Sequence, residues 1–256
     1  MDDSGFLDRA YRWSLERSTW LERLLDPRGA TGRPSFSESL IRASRRLGYA
    51  VIVEYKRCSP SRGPISFPDP EEYIRETSWG AAAYSVLVEP RWFCGSLELL
   101  PLFSQHRPVL AKDFIASRIQ VEAYRRLGAS AVLLIAEMLG SRLAGMCKAV
   151  EDAGLEALVE AGSLEEALRA ARECPRAVLG VNSRNLRTLS VDFNGMLDAI
   201  RRLRAEVGDE RVIVAESGVD SREKALAAAE AGADALLVGT AIMRDPRLLR
   251  EILRLG

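Results

Sequence analysis

The chain has 256 residues, enough for one large α/β domain or two small ones, and its apolar fraction of 47% supplies a full core. Its 36 basic and 36 acidic residues cancel, so no global field recruits nucleic acid or an anionic membrane. No apolar run approaches membrane-spanning length, and the acidic, amphipathic start MDDSGFLDRAYRW is not that of a signal peptide, so a cytoplasmic protein is expected.

In chain order, two helical segments are expected first, at about 5–25 and 36–47, joined by DPRGATGRPS. They form an extension, residues 1–47, that caps the floor or the rim of the main body of the chain. Aliphatic runs then recur: VIVEYK (51–56), AYSVLVE (83–89), PVLAKDF (108–114), AVLLIAEM (131–138), EALVEA (156–161), AVLGVNS (177–183), VIVAESG (212–218) and ALLVG (235–239). Helix-period segments lie between them. Ile115, Ile119, Ala123 and Leu127 step by four, and Phe193, Met196, Leu197, Ile200 and Leu203 make a second stripe. Glycine stops close such segments in RRLGA, EDAGL and AEAGA. Eight continuous apolar strands alternating with helices predict a parallel sheet covered on its outside, and a closed (β/α)8 TIM barrel over residues 48–256 suits that count. An open doubly wound sheet is the competitor. It would carry a glycine-rich first turn, and none follows the first strand. No second domain is expected.

Two residue types are informative. Cys58, Cys94, Cys147 and Cys174 form no CxxC pair, and His106 is the sole histidine, so no metal site is expected. These cysteines are read as small apolar fillers, and a Cys58–Cys94 disulfide near two strand ends is allowed but not indicated. Only four of the basic residues are lysine: Lys56, Lys112, Lys148 and Lys224. Lysine can give up a proton where arginine cannot. Asn and Gln are scarce, which suits a hot environment, although scarce lysine runs against the usual hyperthermophile trend.

In such a barrel the site forms at the C-terminal ends of the strands. Period-two alternation puts Glu54 and Lys56 on one face of the first strand. Successive strands then deliver Glu89 with Trp92 and Phe93, Lys112 with Phe114, Glu137, Glu160, Asn182 with Arg184, Glu216 with Ser217, and Gly239 with Thr240. A ring of salt bridges closing the barrel top would account for any single member. Two lysines converging with three glutamates favour proton donation and abstraction. Gly218, Gly239 and Thr240 end the last two strands, where backbone N–H groups commonly meet a phosphate. Phe93 and Phe114 are candidates to flank a flat ring, whereas Trp92 is as readily ordinary packing.

These motifs together resemble indole-3-glycerol phosphate synthase. EYKRCSPSRG is similar to that family's E-x-K-x-x-S-P-S stretch, LAKDFI to its second lysine motif, LVE to its strand-five glutamate and GVNSRNL to its Asn-x-Arg-Asn/Asp-Leu motif. VAESGV and LLVGTAIM match its last two strands, so the resemblance spans residues 51 to about 245. It implies cyclisation of 1-(2-carboxyphenylamino)-1-deoxyribulose 5-phosphate to indole-3-glycerol phosphate with loss of CO2 and water, without metal or organic cofactor. It implies Lys112 as the acid at the ribulose carbonyl, and Lys56 as holder of the anthranilate carboxylate and second acid. Glu54 and Glu160 become bases for the dehydration, with the division between them open. Asn182, Glu216 and Ser217 orient and complete the polar wall, and Arg184 anchors substrate charge. Ser59, Gly218, Gly239 and Thr240 meet the phosphate and the loops, and Phe93 and Phe114 the anthranilate ring. The Ser-Pro-Ser segment after Lys56 resembles a mobile closing loop. The implied partner is that small phosphorylated substrate, with association among tryptophan-pathway enzymes allowed. The departures are Ala161-Gly162-Ser163 after Glu160, Cys94 in place of a polar residue, and the extra charge of Glu137. An isomerase of the tryptophan or histidine pathway would want Cys/Asp or Asp/Asp at the strand ends, a Schiff-base aldolase would use a lysine nucleophile, and a silent scaffold would need no acid–base ring.

Overall fold

Runs of Val, Ile, Leu and Ala with no alternating polar face form strands that are covered on both sides. In a computed structural model, which describes residues 5–22, 34–59, 63–65, 69–185, 188 and 190–253, eight such runs pair in parallel. They are β1 (Ala50–Tyr55), β2 (Ala83–Leu87), β3 (Val109–Lys112), β4 (Ala131–Ile135), β5 (Glu156–Ala161), β6 (Val178–Asn182), β7 (Ile213–Glu216) and β8 (Ala235–Val238). Each strand pairs with the next, and β8 returns to β1 with Ala50 opposite Ala235, which closes the barrel. Between Cys58 and Pro64 a short antiparallel ladder follows β1.

Helices cover the outside. The predicted stripe Met196, Leu197, Ile200 and Leu203 is buried on α10 (Phe193–Val207). On α6 (Arg118–Arg126) the helix starts at a capping box, in which the Ser117 hydroxyl accepts from Gln120 N and the Gln120 side chain accepts in return. Outside the sheet Tyr55 packs against Tyr73 and Phe103, with centroids 5.5 and 5.1 Å away.

The extension takes both predicted places at once. On α2 (Phe36–Leu47), the first turn is anchored to the start of β5: Glu156 accepts from Phe36 N at 2.6 Å and Ser37 N at 3.0 Å. Ser39 Oγ donates to Ala82 O at 2.7 Å, at the start of β2, so α2 covers the floor. On α1 (Phe6–Glu22), docking is at the other end. Ser14 Oγ donates to the Phe114 carbonyl and Ser18 Oγ meets Ser117 Oγ at 2.6 Å, both just past β3. Phe6 thereby reaches the mouth. The last helix, α13 (Leu248–Leu253), lies at the floor, where Tyr49 O–H donates to Ile252 O and Leu249 and Leu253 crowd Gly80. The predicted end of the first helix at 23–25 and most of the DPRGATGRPS linker lie outside the described residues.

The reading of the cysteines as unpaired fillers is overturned. Cys58 pairs with Cys94 and Cys147 with Cys174, with Cα atoms 5.4 and 5.8 Å apart. Separations of 36 and 27 residues carry no pairing pattern of their own; the packing of consecutive strand–helix units brings each pair within disulfide reach.

Candidate active site

A cavity of about 420 Å³ opens at the C-terminal ends of the strands. Lys112, Lys56, Glu54, Glu160, Asn182 and Ser217 line it, as do Ser59, Phe93, Phe114, Arg184, Gly218, Gly239 and Thr240. Of the residues expected to act on or bind the substrate, Glu216 is absent from that lining. It is fully buried beneath it and accepts a hydrogen bond from Lys112 Nζ at 3.0 Å.

Lys112 is the hub. Its Nζ lies 3.0 Å from Glu216, 3.6 Å from Glu54 and 3.7 Å from Glu160. Lys56 Nζ donates to the other oxygen of Glu54 at 2.6 Å. Asn182 Nδ2 donates to Glu160 at 2.9 Å, and Asn182 Oδ1 accepts from Arg184 N at 2.9 Å. Two missing side chains make room for these carboxylates: a Cβ on Gly239 would collide with Glu54 Oε1, and one on Gly180 with Glu216 Oε1. Gly180 escaped the sequence reading, because a glycine inside a strand names no partner.

Burial and charge pull against each other here. Burial lowers the pKa of Lys112, but Glu216, Glu54 and Glu160 outweigh it, so the net shift is upward and the ammonium persists. Burial raises Glu54, yet Lys56 and Lys112 prevail and keep its carboxyl below the usual value. Burial dominates at Glu216. With the Glu160 charge nearby it pushes the carboxyl up to about 8, against the pull of Lys112. The result is one ionised and one proton-holding carboxyl on a single ammonium, a set suited to moving protons.

The cavity's two ends differ. Phe93 and Phe114 stand 6.1 Å apart between centroids at 45°. Phe6 joins this wall from α1, with its ring 5.6 Å from Phe114, and the reading of the extension as a cap did not place it there. Trp92 packs edge-on against Phe6 and Phe114 at 5.4 and 5.7 Å and does not line the cavity. The opposite end carries Gly218, Gly239 and Thr240 with two cations that were not assigned there, Lys224 and Arg244. Ser217 and Gly218 both hold left-handed φ, 66° and 78°.

Two expected members of the ring leave it. Helix α7 (Ala136–Leu139) starts at once after β4, so Glu137 leaves the main cavity and lines an adjoining cleft with Glu166 and Asn185. Glu89 reaches the cavity wall, but its carboxylate caps α4 (Pro90–Phe93), accepting from Arg91 N, Trp92 N and Phe93 N as well as from Trp13 Nε1. Of the closing-loop segment only Ser59 is described, and Pro60, Ser61 and Arg62 lie outside the described residues.

A model of the indole-3-glycerol phosphate synthase family matches residues 20–255. The indole-3-glycerol phosphate synthase of Aeropyrum pernix is 48% identical over 257 residues, which is 99% of this chain and 97% of that one. That of Methanothermobacter marburgensis is 39% identical over 94% of this chain and 86% of its own, and that of Pyrobaculum aerophilum 35% identical over 91% and 94%. Among solved structures, 3-hexulose-6-phosphate synthase matches with a TM-score of 0.63 at 16% identity, covering 79% of this chain and 97% of its own, a likeness of fold alone.

Proposed function

The chain belongs to the indole-3-glycerol phosphate synthase family, and from that membership we infer that it closes the indole ring of tryptophan biosynthesis in the cavity above β1 to β8. The substrate is 1-(2-carboxyphenylamino)-1-deoxyribulose 5-phosphate. The observation that carries the assignment of roles is Lys112 Nζ within 3.7 Å of the carboxyl groups of Glu216, Glu54 and Glu160, at the floor of a cavity with aromatic rings at one end and Lys224 and Arg244 at the other.

In this reading Phe93 and Phe114 hold the anthranilate ring, and Gly218, Gly239, Thr240 and Ser59 receive the phosphate with Lys224 and Arg244 nearby. Arg184 anchors substrate charge. The aromatic carbon bearing the carboxylate attacks the ribulose carbonyl, and Lys112 donates a proton to the developing alkoxide. Lys56 holds the carboxylate until it leaves as CO2, which returns its electron pair to the ring. Lys56 then protonates the new hydroxyl, which departs as water while Glu54 or Glu160 removes the proton that restores aromaticity. Asn182 fixes Glu160, and Glu216 and Ser217 hold the wall behind Lys112. Each group acts from a fixed place on a strand or at its end, so its charge is preorganised for the reaction. A cytoplasmic location belongs to the same reading, since no described helix is long and apolar enough to cross a membrane. Association with other enzymes of tryptophan synthesis also belongs to it.

The test is direct. The purified protein and the carboxyphenylamino-deoxyribulose phosphate are mixed with a chelator, and indole fluorescence is followed. A rise is expected, and Lys112→Met should abolish it while circular dichroism stays unchanged. Turnover retained by a folded Lys112→Met protein overturns the assignment of the acid.

A further inference from the structure

The two disulfides lie at different depths. Cys147 on α8 (Leu143–Asp152) joins Cys174 at the end of α9 (Leu164–Glu173), and both cysteines are buried. Cys58 joins Cys94 beside the mouth, where Cys58 is buried and Cys94 is exposed. Each of these two has a neighbour in the cavity wall: Ser59 follows Cys58 and Phe93 precedes Cys94. Cys94 is held at φ 51°, a left-handed conformation that a residue with a side chain adopts only at a cost. Gly95 after it lies so close to the backbone of Val88 and Glu89 that a Cβ has no room. The bond therefore ties the segment after β1 to the turn after α4, and with them a hydroxyl and an aromatic wall of one cavity.

We propose that Cys58 and Cys94 are positioning residues, their disulfide presetting Ser59 and Phe93 for the substrate, and that this bond, open to solvent on its Cys94 side, puts substrate affinity under the control of thiol reductants. The inference rests on the cyclase reading. A dithiol supplies two electrons and two protons, the sulfur–sulfur bond becomes two thiols, and the reductant leaves as its own cyclic disulfide. Lys112, Glu54, Glu160 and Glu216 stand on β3, β1, β5 and β7 and keep their places, and Lys56, one residue past β1, stays held by Glu54 at 2.6 Å. The freed segments must be ordered anew at each binding event, so the loss falls on KM and spares kcat.

The experiment compares the oxidised wild-type enzyme with the same enzyme after mild dithiol treatment, well below its melting temperature, with thiols counted by alkylation and mass spectrometry. The expected result is alkylation at Cys58 and Cys94 alone, KM raised about tenfold and kcat changed less than about twofold. Reoxidation restores KM. A Cys58→Ser/Cys94→Ser double variant should show the raised KM and ignore dithiol. A Cys147→Ser/Cys174→Ser variant should keep the low KM and still respond. Turnover with KM unmoved by opening the Cys58–Cys94 bond overturns this inference alone. A kcat that falls in step with the melting temperature also overturns it, because the bond would then only hold the fold together. No turnover in the oxidised enzyme overturns the cyclase reading and this inference with it.

Discussion

Glu216 meets no water, and its Oε1 has no hydrogen-bond partner. Its carboxyl stays protonated up to about pH 8, whereas an unperturbed one ionises near 4.5. The folded state thus binds this proton more tightly than the unfolded chain does, so its contribution to stability declines as pH climbs from about 4.5 to about 8. Ionisation also places a new negative charge 3.0 Å from Lys112 Nζ, which binds the lysine's proton more firmly and weakens it as a donor. The expected outcome is a kcat that falls as pH rises through about 8, and a Glu216→Gln variant that lacks this limb. A pH–rate profile of both proteins checks it, and a limb that survives in the variant would sink the argument. At this scale the sequence was legible where one strand carries the information. Alternation along β1 put Glu54 and Lys56 on one face, and they meet at 2.6 Å. It was illegible where a neighbouring element claims the side chain: β4 stops three residues short of its predicted end and Glu137 goes with α7. Glu89 looks like a ring member until α4 takes its oxygens.

Among the elements, α1 does the most that its sequence does not reveal. Its amphipathic pattern gives a buried face but no partner. That partner is the segment after β3. Arg17 donates to Asp113 and, at 2.8 Å, to the Tyr124 hydroxyl, which itself donates to Asp113. Asp113 is buried and adjoins Lys112, so this pair braces the strand that carries the central ammonium. Removing one partner of a buried pair leaves an uncompensated charge, and Arg17→Ala should cost roughly 3 kcal/mol of stability. The exposed pair Lys148–Asp152, with side chains 74% and 52% accessible, should by contrast cost well under about 1 kcal/mol on Lys148→Ala. Guanidinium denaturation of the two variants distinguishes them through the midpoint, at unchanged slope. Equal midpoints would mean that the Arg17–Asp113 pair adds nothing to the docking of α1, which its apolar residues and the Ser14 and Ser18 hydrogen bonds would then supply.

For the molecule as a whole, the alternation of strands and helices was legible because each parallel strand is buried on both faces and reads as an unbroken apolar run. Of the disulfides only Cys58–Cys94 was allowed for, from its place near two strand ends, because cysteines 27 or 36 residues apart carry no pairing signal until neighbouring units pack. With few Asn and Gln and two such bonds, the chain has features of proteins from very hot environments. The buried pair staples neighbouring helices, and by loop entropy its removal in Cys147→Ser/Cys174→Ser should cost roughly 3–4 kcal/mol, read as a lower melting temperature. An unchanged melting temperature would show that helix packing alone sets that corner's stability. The floor-to-mouth placement of the first and last helices has a practical corollary. Phe6 stands at the entrance while α13 lies at the base, so the described fold begins at the doorway and ends on the far side. A purification handle or a surface tether at the rear keeps the entrance clear, whereas a second catalyst meant to hand over its product belongs at the front.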